Sequence, residues 1–107
     1  MGSEAGLEGK QKGTVYCASK FAIRGFAQAL REECASSGVR VTVINPGMVK
    51  TEFFNDLNFA PGDDETNYLL PEDIAKVVLQ VLSSRTAAVV DEINLSPLKK
   101  VINFKKK

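Results

Sequence analysis

An α/β fold with parallel strands is the architecture this sequence predicts, and three observations predict it. A long helical pattern from about residue 14 to 37 precedes a β-branched run at about 39–44. A second helical pattern at about 71–84 is followed by another β-branched run at about 89–95. Parallel strands need a crossover between them, so the order helix, strand, loop, helix, strand gives a right-handed β-α-β unit preceded by one more helix.

Each element has its local cause. Residues 3–13 carry Gly6, Gly9 and Gly13 without apolar periodicity and read as a loop. Thr14 suits the start of the first helix and Gly38 its C-terminal stop, with no proline between. At helical rise this stretch is roughly 36 Å long. Ala18, Ala22, Gly25 and Ala29 form a small-residue stripe on it, with Phe26 and Leu30 at the margin. A mid-helix glycine costs about 1 kcal/mol against alanine, so Gly25 is expected to admit close approach of another element. Val39 to Ile44 reads as a strand by β-branched content, ended by Pro46-Gly47. Residues 48–70 are a long polar and aromatic connection with a short helical turn near Glu52–Leu57, and loops of that length are usually functional. Pro71 fits the first position of the second helix, Glu72 and Asp73 complement its dipole, and Ile74, Val77, Val78, Val81 and Leu82 are its expected buried stripe. Pro97 closes the last strand. This order matches the C-terminal third to half of a doubly wound, Rossmann-type parallel sheet.

Composition excludes several classes. The 107 residues allow one domain, and 44% hydrophobic with 25% charged residues is ordinary globular material. A net charge of +1 provides no field for nucleic acid. Lys99-Lys100 and Lys105-Lys106-Lys107 read as a solvated tail. No apolar stretch approaches the ~20 residues of a membrane span, and the start lacks a signal-peptide core, so a cytoplasmic location is expected. The chain contains no histidine, which removes histidine-based triads and histidine-ligated metals; no metal site is expected. Cys17 and Cys34, on one helix, would lie about 25 Å apart, beyond disulfide reach, and are read as reduced structural thiols.

Tyr16 and Lys20 carry the chemistry. Four residues apart on a helix, they share a face one turn apart. A free phenol, with a pKa of about 10, exchanges protons poorly near neutrality, and a neighbouring ammonium stabilises the phenolate. Such a pair serves as general acid in carbonyl reduction and general base in alcohol oxidation. Alone, a tyrosine and a lysine at this spacing are common on exposed helices. Ser3, thirteen residues before Tyr16, adds a hydroxyl to the phenol and ammonium, although Met1-Gly2-Ser3 also matches a cloning scar. Asn45-Pro46-Gly47, taken alone, is a turn.

Taken together these residues resemble the short-chain dehydrogenase/reductase family. The resemblance rests on Ser3-Glu4-Ala5-Gly6-Leu7, Tyr16-Cys17-Ala18-Ser19-Lys20-Phe21-Ala22 with Gly25, and Asn45-Pro46-Gly47-Met48-Val49-Lys50-Thr51. It implies Ser3, Tyr16 and Lys20 as the catalytic set and NAD or NADP as cofactor. Tyr16, Lys20, Pro46, Gly47, Val49 and Thr51 would contact that cofactor: Lys20 the ribose, the backbone at Val49 and the Thr51 hydroxyl the carboxamide. Phe53, Phe54 and Phe59 would belong to a substrate lid, with cover for the core or for a partner subunit an equal alternative. Leu70 to Ala75 and Val90 to Pro97 resemble the closing helix and strand of hydroxy-acid and semialdehyde reductases. The implied substrate is a small carbonyl or alcohol. The implied partner is a second copy docking through the 14–37 helix, with no nucleic acid and no membrane.

The sequence departs from that family in lacking a glycine-rich dinucleotide turn and the catalytic asparagine of the preceding helix, a position Asn45 does not match. Residues 1–107 therefore read as a single partial NAD(P)-binding domain, the catalytic half without its glycine-rich half, and inactive alone. A truncated chain acting as a non-catalytic interaction or folding module is the alternative.

Overall fold

The computed structural model describes residues 1–2 and 14–104. Ser3, the glycine-containing 3–13 segment and Lys105 to Lys107 lie outside the described residues. Helix α1 spans Thr14–Cys34 and α2 spans Pro71–Leu82; the strands are β1 Val43–Pro46, β2 Phe59–Pro61, β3 Glu92–Leu95 and β4 Ile102–Phe104. Three short 3-10 turns, Ala35–Ser37, Glu52–Phe54 and Glu65–Asn67, complete the set among the described residues.

β1 and β3 pair in parallel, Val43 opposite Glu92 through Pro46 opposite Leu95, with α2 on the connection between them. The expected β-α-β unit is present. Its strands are shorter than the β-branched runs and shifted. β1 starts four residues later than expected and continues through Asn45 and Pro46, because ladder bonds exist only from Val43 N–H, which donates to Asp91 O at 3.1 Å, to Gly47 N–H, which donates to Leu95 O at 2.7 Å. Pro46 is tolerated because the ladder takes the N–H of Gly47 and asks none of Pro46. Val89 to Asp91 likewise precede the paired part of β3.

The end of α1 follows directly from Gly38. The helix tightens into the 3-10 turn, Gly38 adopts φ +75°, its N–H donates to Ala35 O, and Val39 N–H donates to Cys34 O. These two bonds form a Schellman stop, which favours glycine at the left-handed position. Pro71 opens α2, and Asp73 Oδ2 accepts the Leu70 N–H at 2.8 Å. Arg40 Nη1 donates to the carbonyls of Ser84, Arg85 and Ala88 at 3.3–3.4 Å, collecting carbonyls just beyond the end of α2.

Burial defines the inward face of α1 and corrects the expected buried stripe of α2. The small-residue stripe Ala18, Ala22, Gly25 and Ala29 is exposed, and a Cβ at Gly25 would meet nothing, so no element of the described chain approaches it closely. The inward face of α1 is instead Cys17, Lys20, Arg24, Ala27, Arg31 and Cys34, an alternating three-four spacing, with Cys17 and Ala27 buried. On α2, Ile74, Val77, Val78 and Val81 are only half-buried and Leu82 is exposed. Both cysteines are free thiols. No helix among the described residues is long and apolar enough to cross a membrane.

α1 is tied to β3 by charge. Arg24 forks onto Glu92, with Nε to Oε2 at 2.5 Å and Nη2 to Oε1 at 3.0 Å, and Arg31 Nε meets Asp91 Oδ1 at 2.9 Å. Glu92 Oε2 also accepts from Asn45 Nδ2 at 3.1 Å, and Asn45, only 1% exposed, donates again to Asn94 Oδ1 at 3.0 Å. The Arg24 hydrogen bonds hold the Glu92 carboxyl below the usual carboxylate range against the opposing effect of burial, with a smaller contribution from Asn45. On the outer side of β1, Gly2 N–H donates to Ile44 O at 2.6 Å, and a Cβ there would collide with Asn45 and crowd Val43.

Two outcomes follow from these contacts. Because Glu92 titrates lower when folded, its stabilising effect is complete above the unfolded glutamate pKa of about 4.3 and is lost as pH falls through the folded value. Thermal melting between neutral pH and pH 3 should therefore show a steeper acid-side loss in the wild type than in Glu92→Gln. Gly38→Ala should destabilise by about 1 kcal/mol, from the left-handed φ, in urea unfolding.

Candidate active site

Helix α1 supplies the tyrosine and the lysine. The i, i+4 spacing and the uninterrupted first turns of α1 bring Lys20 Nζ over the Tyr16 ring, 5.5 Å from its centroid. Tyr16 is 47% exposed, whereas Lys20 is half-buried on the inward face. One turn further along that face lies Arg24, fixed to Glu92 and through it to Asn45, the residue directly before Pro46-Gly47. The helix that carries the pair and the strand end that carries the turn are thus joined by a continuous polar chain.

The turn lies at the C-terminal end of a parallel strand, the position where open α/β sheets bind ligands. Gly47 is held by its bond to Leu95 O. Beyond it, Val49 bridges Leu69 in parallel through bonds made by its neighbours: Leu69 N–H donates to Met48 O at 2.7 Å and Lys50 N–H to Leu69 O at 2.8 Å. In such a bridge the N–H and C=O of Val49 itself face the opposite edge. Thr51 caps the following 3-10 turn: its Oγ1 accepts from Phe53 N–H at 3.3 Å, which leaves the hydroxyl proton to be donated elsewhere. A backbone donor and acceptor beside a hydroxyl donor suit a primary carboxamide.

The phenylalanines form a row. Phe53 and Phe54 stack edge-to-face with centroids 5.1 Å apart, and Phe54 meets Phe59 at 5.9 Å. Phe54 is buried and Phe53 is exposed. Part of this loop therefore covers the core, while Phe53 remains free to meet a ligand. The loop neck is closed by the Val49–Leu69 bridge and by Lys50, whose Nζ lies 4.8 Å from the Tyr68 ring centroid. Farther round, the Asp64 carboxylate is held below its usual range by the Thr66 hydroxyl at 2.6 Å and then by the Thr66 N–H at 2.9 Å.

The structure therefore joins Tyr16 to Lys20, Val49 to the loop neck, and Phe53, Phe54 and Phe59 to one another. Among the described residues no hydrogen bond, ion pair or ring contact links Tyr16 or Lys20 to Pro46, Gly47, Val49 or Thr51. An open depression of 370 Å³ lies elsewhere, between Glu65–Asp73 and Ser96–Leu98, and none of those six residues lines it. Sequence reasoning missed Arg24, Asn45 and Glu92 as the connection between helix and turn. The available signal was the alternating three-four spacing of Cys17, Lys20, Arg24, Ala27, Arg31 and Cys34, with two arginines on it, against adjacent acids at the start of β3.

Known proteins resemble the chain in sequence and in backbone. An uncharacterised oxidoreductase of Staphylococcus saprophyticus is 36% identical over 98 residues, 92% of this chain and 40% of that protein. An NADP-dependent 3-hydroxy acid dehydrogenase of Schizosaccharomyces pombe is 36% identical over 105 residues, 91% of this chain and 40% of that protein. Among solved structures, an alcohol dehydrogenase from the archaeon Thermococcus sibiricus, complexed with 5-hydroxy-NADP, superimposes with a TM-score of 0.76 at 26% identity, over 92% of this chain and 41% of that one. A serine dehydrogenase from Escherichia coli gives a TM-score of 0.70 at 29% identity, over 88% of this chain and 36% of that one. The chain spans about 40% of the length of the curated relatives it matches. Its helix, parallel strand pair and crossover helix are thus part of a Rossmann-type α/β fold. The short chain dehydrogenase family model matches residues 1–61, more than half of the 107, and that span holds both the tyrosine–lysine turn of α1 and the strand end at Pro46-Gly47; the chain belongs to the short-chain dehydrogenase family.

Proposed function

We propose that this chain is the catalytic half of an oxidoreductase that reduces a small carbonyl compound or oxidises the corresponding alcohol, with NAD or NADP as cofactor. The observation that carries the reading is the placement of Lys20 Nζ over the ring of an exposed Tyr16 on α1, in a chain of this family. Tyr16 donates a proton to the carbonyl oxygen, or accepts one from the alcohol. Lys20 stabilises the phenolate and keeps further N–H donors for ribose hydroxyls. Ser3 bonds the substrate oxygen. Pro46-Gly47, the backbone of Val49 and the Thr51 hydroxyl hold a nicotinamide carboxamide, and the donor set described above fits that group. When bound, the nicotinamide supplies or accepts the hydride. The similarity to a 3-hydroxy acid dehydrogenase supports a hydroxy acid or the matching oxo acid as the substrate class.

The 107 residues act as one partial domain. They are inactive without a glycine-rich dinucleotide half, and they work in the cytoplasm, where free thiols stay reduced. The exposed face of α1, with Val15, Phe21 and Phe26 beside the alanines, supports pairing with a second copy.

In the full-length protein, Tyr16→Phe should lower kcat by about 10²-fold or more while melting is unchanged, as measured by steady-state reduction of a panel of aldehydes and oxo acids. A variant with wild-type turnover would overturn the role of Tyr16. Lys20→Ala should weaken both cofactor affinity and turnover. Thr51→Ala should raise the cofactor dissociation constant with little change in melting; a loss of stability without a change in cofactor affinity would reduce Thr51 to a capping residue.

A further inference from the structure

The segment after β3, whose Lys99-Lys100 pair the sequence presents as part of a solvated tail, leads into the strand β4, which runs along the aromatic loop. β4 pairs antiparallel with β2: Phe59 lies opposite Phe104, Ala60 opposite Asn103 and Pro61 opposite Ile102. The pairing is extended on one side by Gly62 N–H, which donates to Val101 O at 2.9 Å, and by Lys99 N–H, which donates to Thr66 O at 2.9 Å. Asn67 joins the two segments from inside. It is 6% exposed; its Nδ2 donates to Lys99 O at 2.8 Å, while its Oδ1 accepts the Asp64 N–H at 3.1 Å. Gly62 is buried, and a Cβ there would collide with the Asn67 side chain and with Val101, so the two segments are as close as backbone and side chain allow.

We propose that β4 is a strap: the C-terminal strand, with Asn67 as its positioning residue, fixes the loop between β1 and α2 as a braced wall of the candidate site. The loop is held at its neck by the Val49–Leu69 bridge and at its far side by β4. The aromatic row connects the far anchor to the front, since Phe54 rests on Phe59, which β4 pairs with Phe104. Only the front of the loop, around Phe53, is left to adapt to a ligand, so specificity is set by a fixed surface rather than by a swinging flap. The meaning of this surface for a substrate rests on the oxidoreductase reading; the strap itself does not.

Amide hydrogen exchange on the full-length protein tests it. Asn67→Asp keeps an oxygen to accept from Asp64 N–H but replaces the donor to Lys99 O with a carboxylate, and a chain ending at Lys100 removes β4. In the wild type, Gly62 and Lys99 should exchange at least about tenfold more slowly than free amides. In Asn67→Asp both should speed up about tenfold, and in the shortened chain Gly62 should do so, while Val43 and Gly47, bonded to Asp91 and Leu95, keep their protection. Unprotected Gly62 and Lys99 in the wild type would overturn the strap, as would unchanged rates in the variants. Simultaneous loss at Val43 and Gly47 would also overturn it, by showing one cooperative unit. With a carbonyl substrate, both variants should raise KM more than they lower kcat. Absence of wild-type turnover removes the oxidoreductase reading and leaves the exchange rates to decide the strap.

Discussion

The parallel pairing of β1 with β3, and the polar chain that crosses it, is the constraint on which the rest of the structure depends. Four residue pairs make the ladder, and the crossover through α2 makes it parallel. Asn45 sits at its centre, buried, between Glu92 and Asn94. A buried amide without partners would be costly, so burial of Asn45 requires β3 to present acceptors at this register. Glu92 in turn takes the Arg24 fork, and so α1 is set against the sheet by a charged bond of defined geometry rather than by apolar contact alone. The helix bearing Tyr16 and Lys20 and the strand end bearing Pro46-Gly47 are thereby placed by one network.

The same strand end launches the aromatic loop, which is restrained at its neck and along its far side. Bonds between Met48, Lys50 and Leu69 close its neck, Asp64 and Asn67 organise its far turn, and β4 lies along it. A long connection without such anchors would carry a large ordering cost and leave its apolar side chains unplaced. Here Phe54 is buried and Phe59 is paired, and only Phe53 projects into solvent.

Apolar residues remain exposed on both helices: Val15 and Phe26 on α1, Leu79 and Leu82 on α2. A two-stranded parallel sheet offers little area for helices to cover, whereas parallel sheets are ordinarily buried on both faces. That explains why α2, whose apolar spacing is regular, has no fully buried residue. It also explains why the small stripe of α1 is exposed, with nothing within reach of a Cβ at Gly25, although its composition suits close packing.

The sequence by itself determined the order of α1, β1, α2 and β3, the Schellman stop at Gly38, the proline start of α2 and the shared face of Tyr16 and Lys20. All of these depend on local preferences or on helical spacing within one element. It also carried the family resemblance, because Tyr16-x-x-x-Lys20 and Asn45-Pro46-Gly47 are short, contiguous motifs. Only the tertiary structure decided where β1 and β3 begin, since a strand extends only as far as a partner's hydrogen bonds reach and β-branched content says nothing of the partner. It decided which face of α1 turns inward, because Arg24 and Arg31 look solvent-bound until Glu92 and Asp91 come opposite them. And it placed Lys99 and Lys100, read from the sequence as part of a solvated tail, at the entry to the paired strand β4: the reason lies at Gly62, Thr66 and Asn67, between thirty and forty residues away in the chain and brought alongside only by folding.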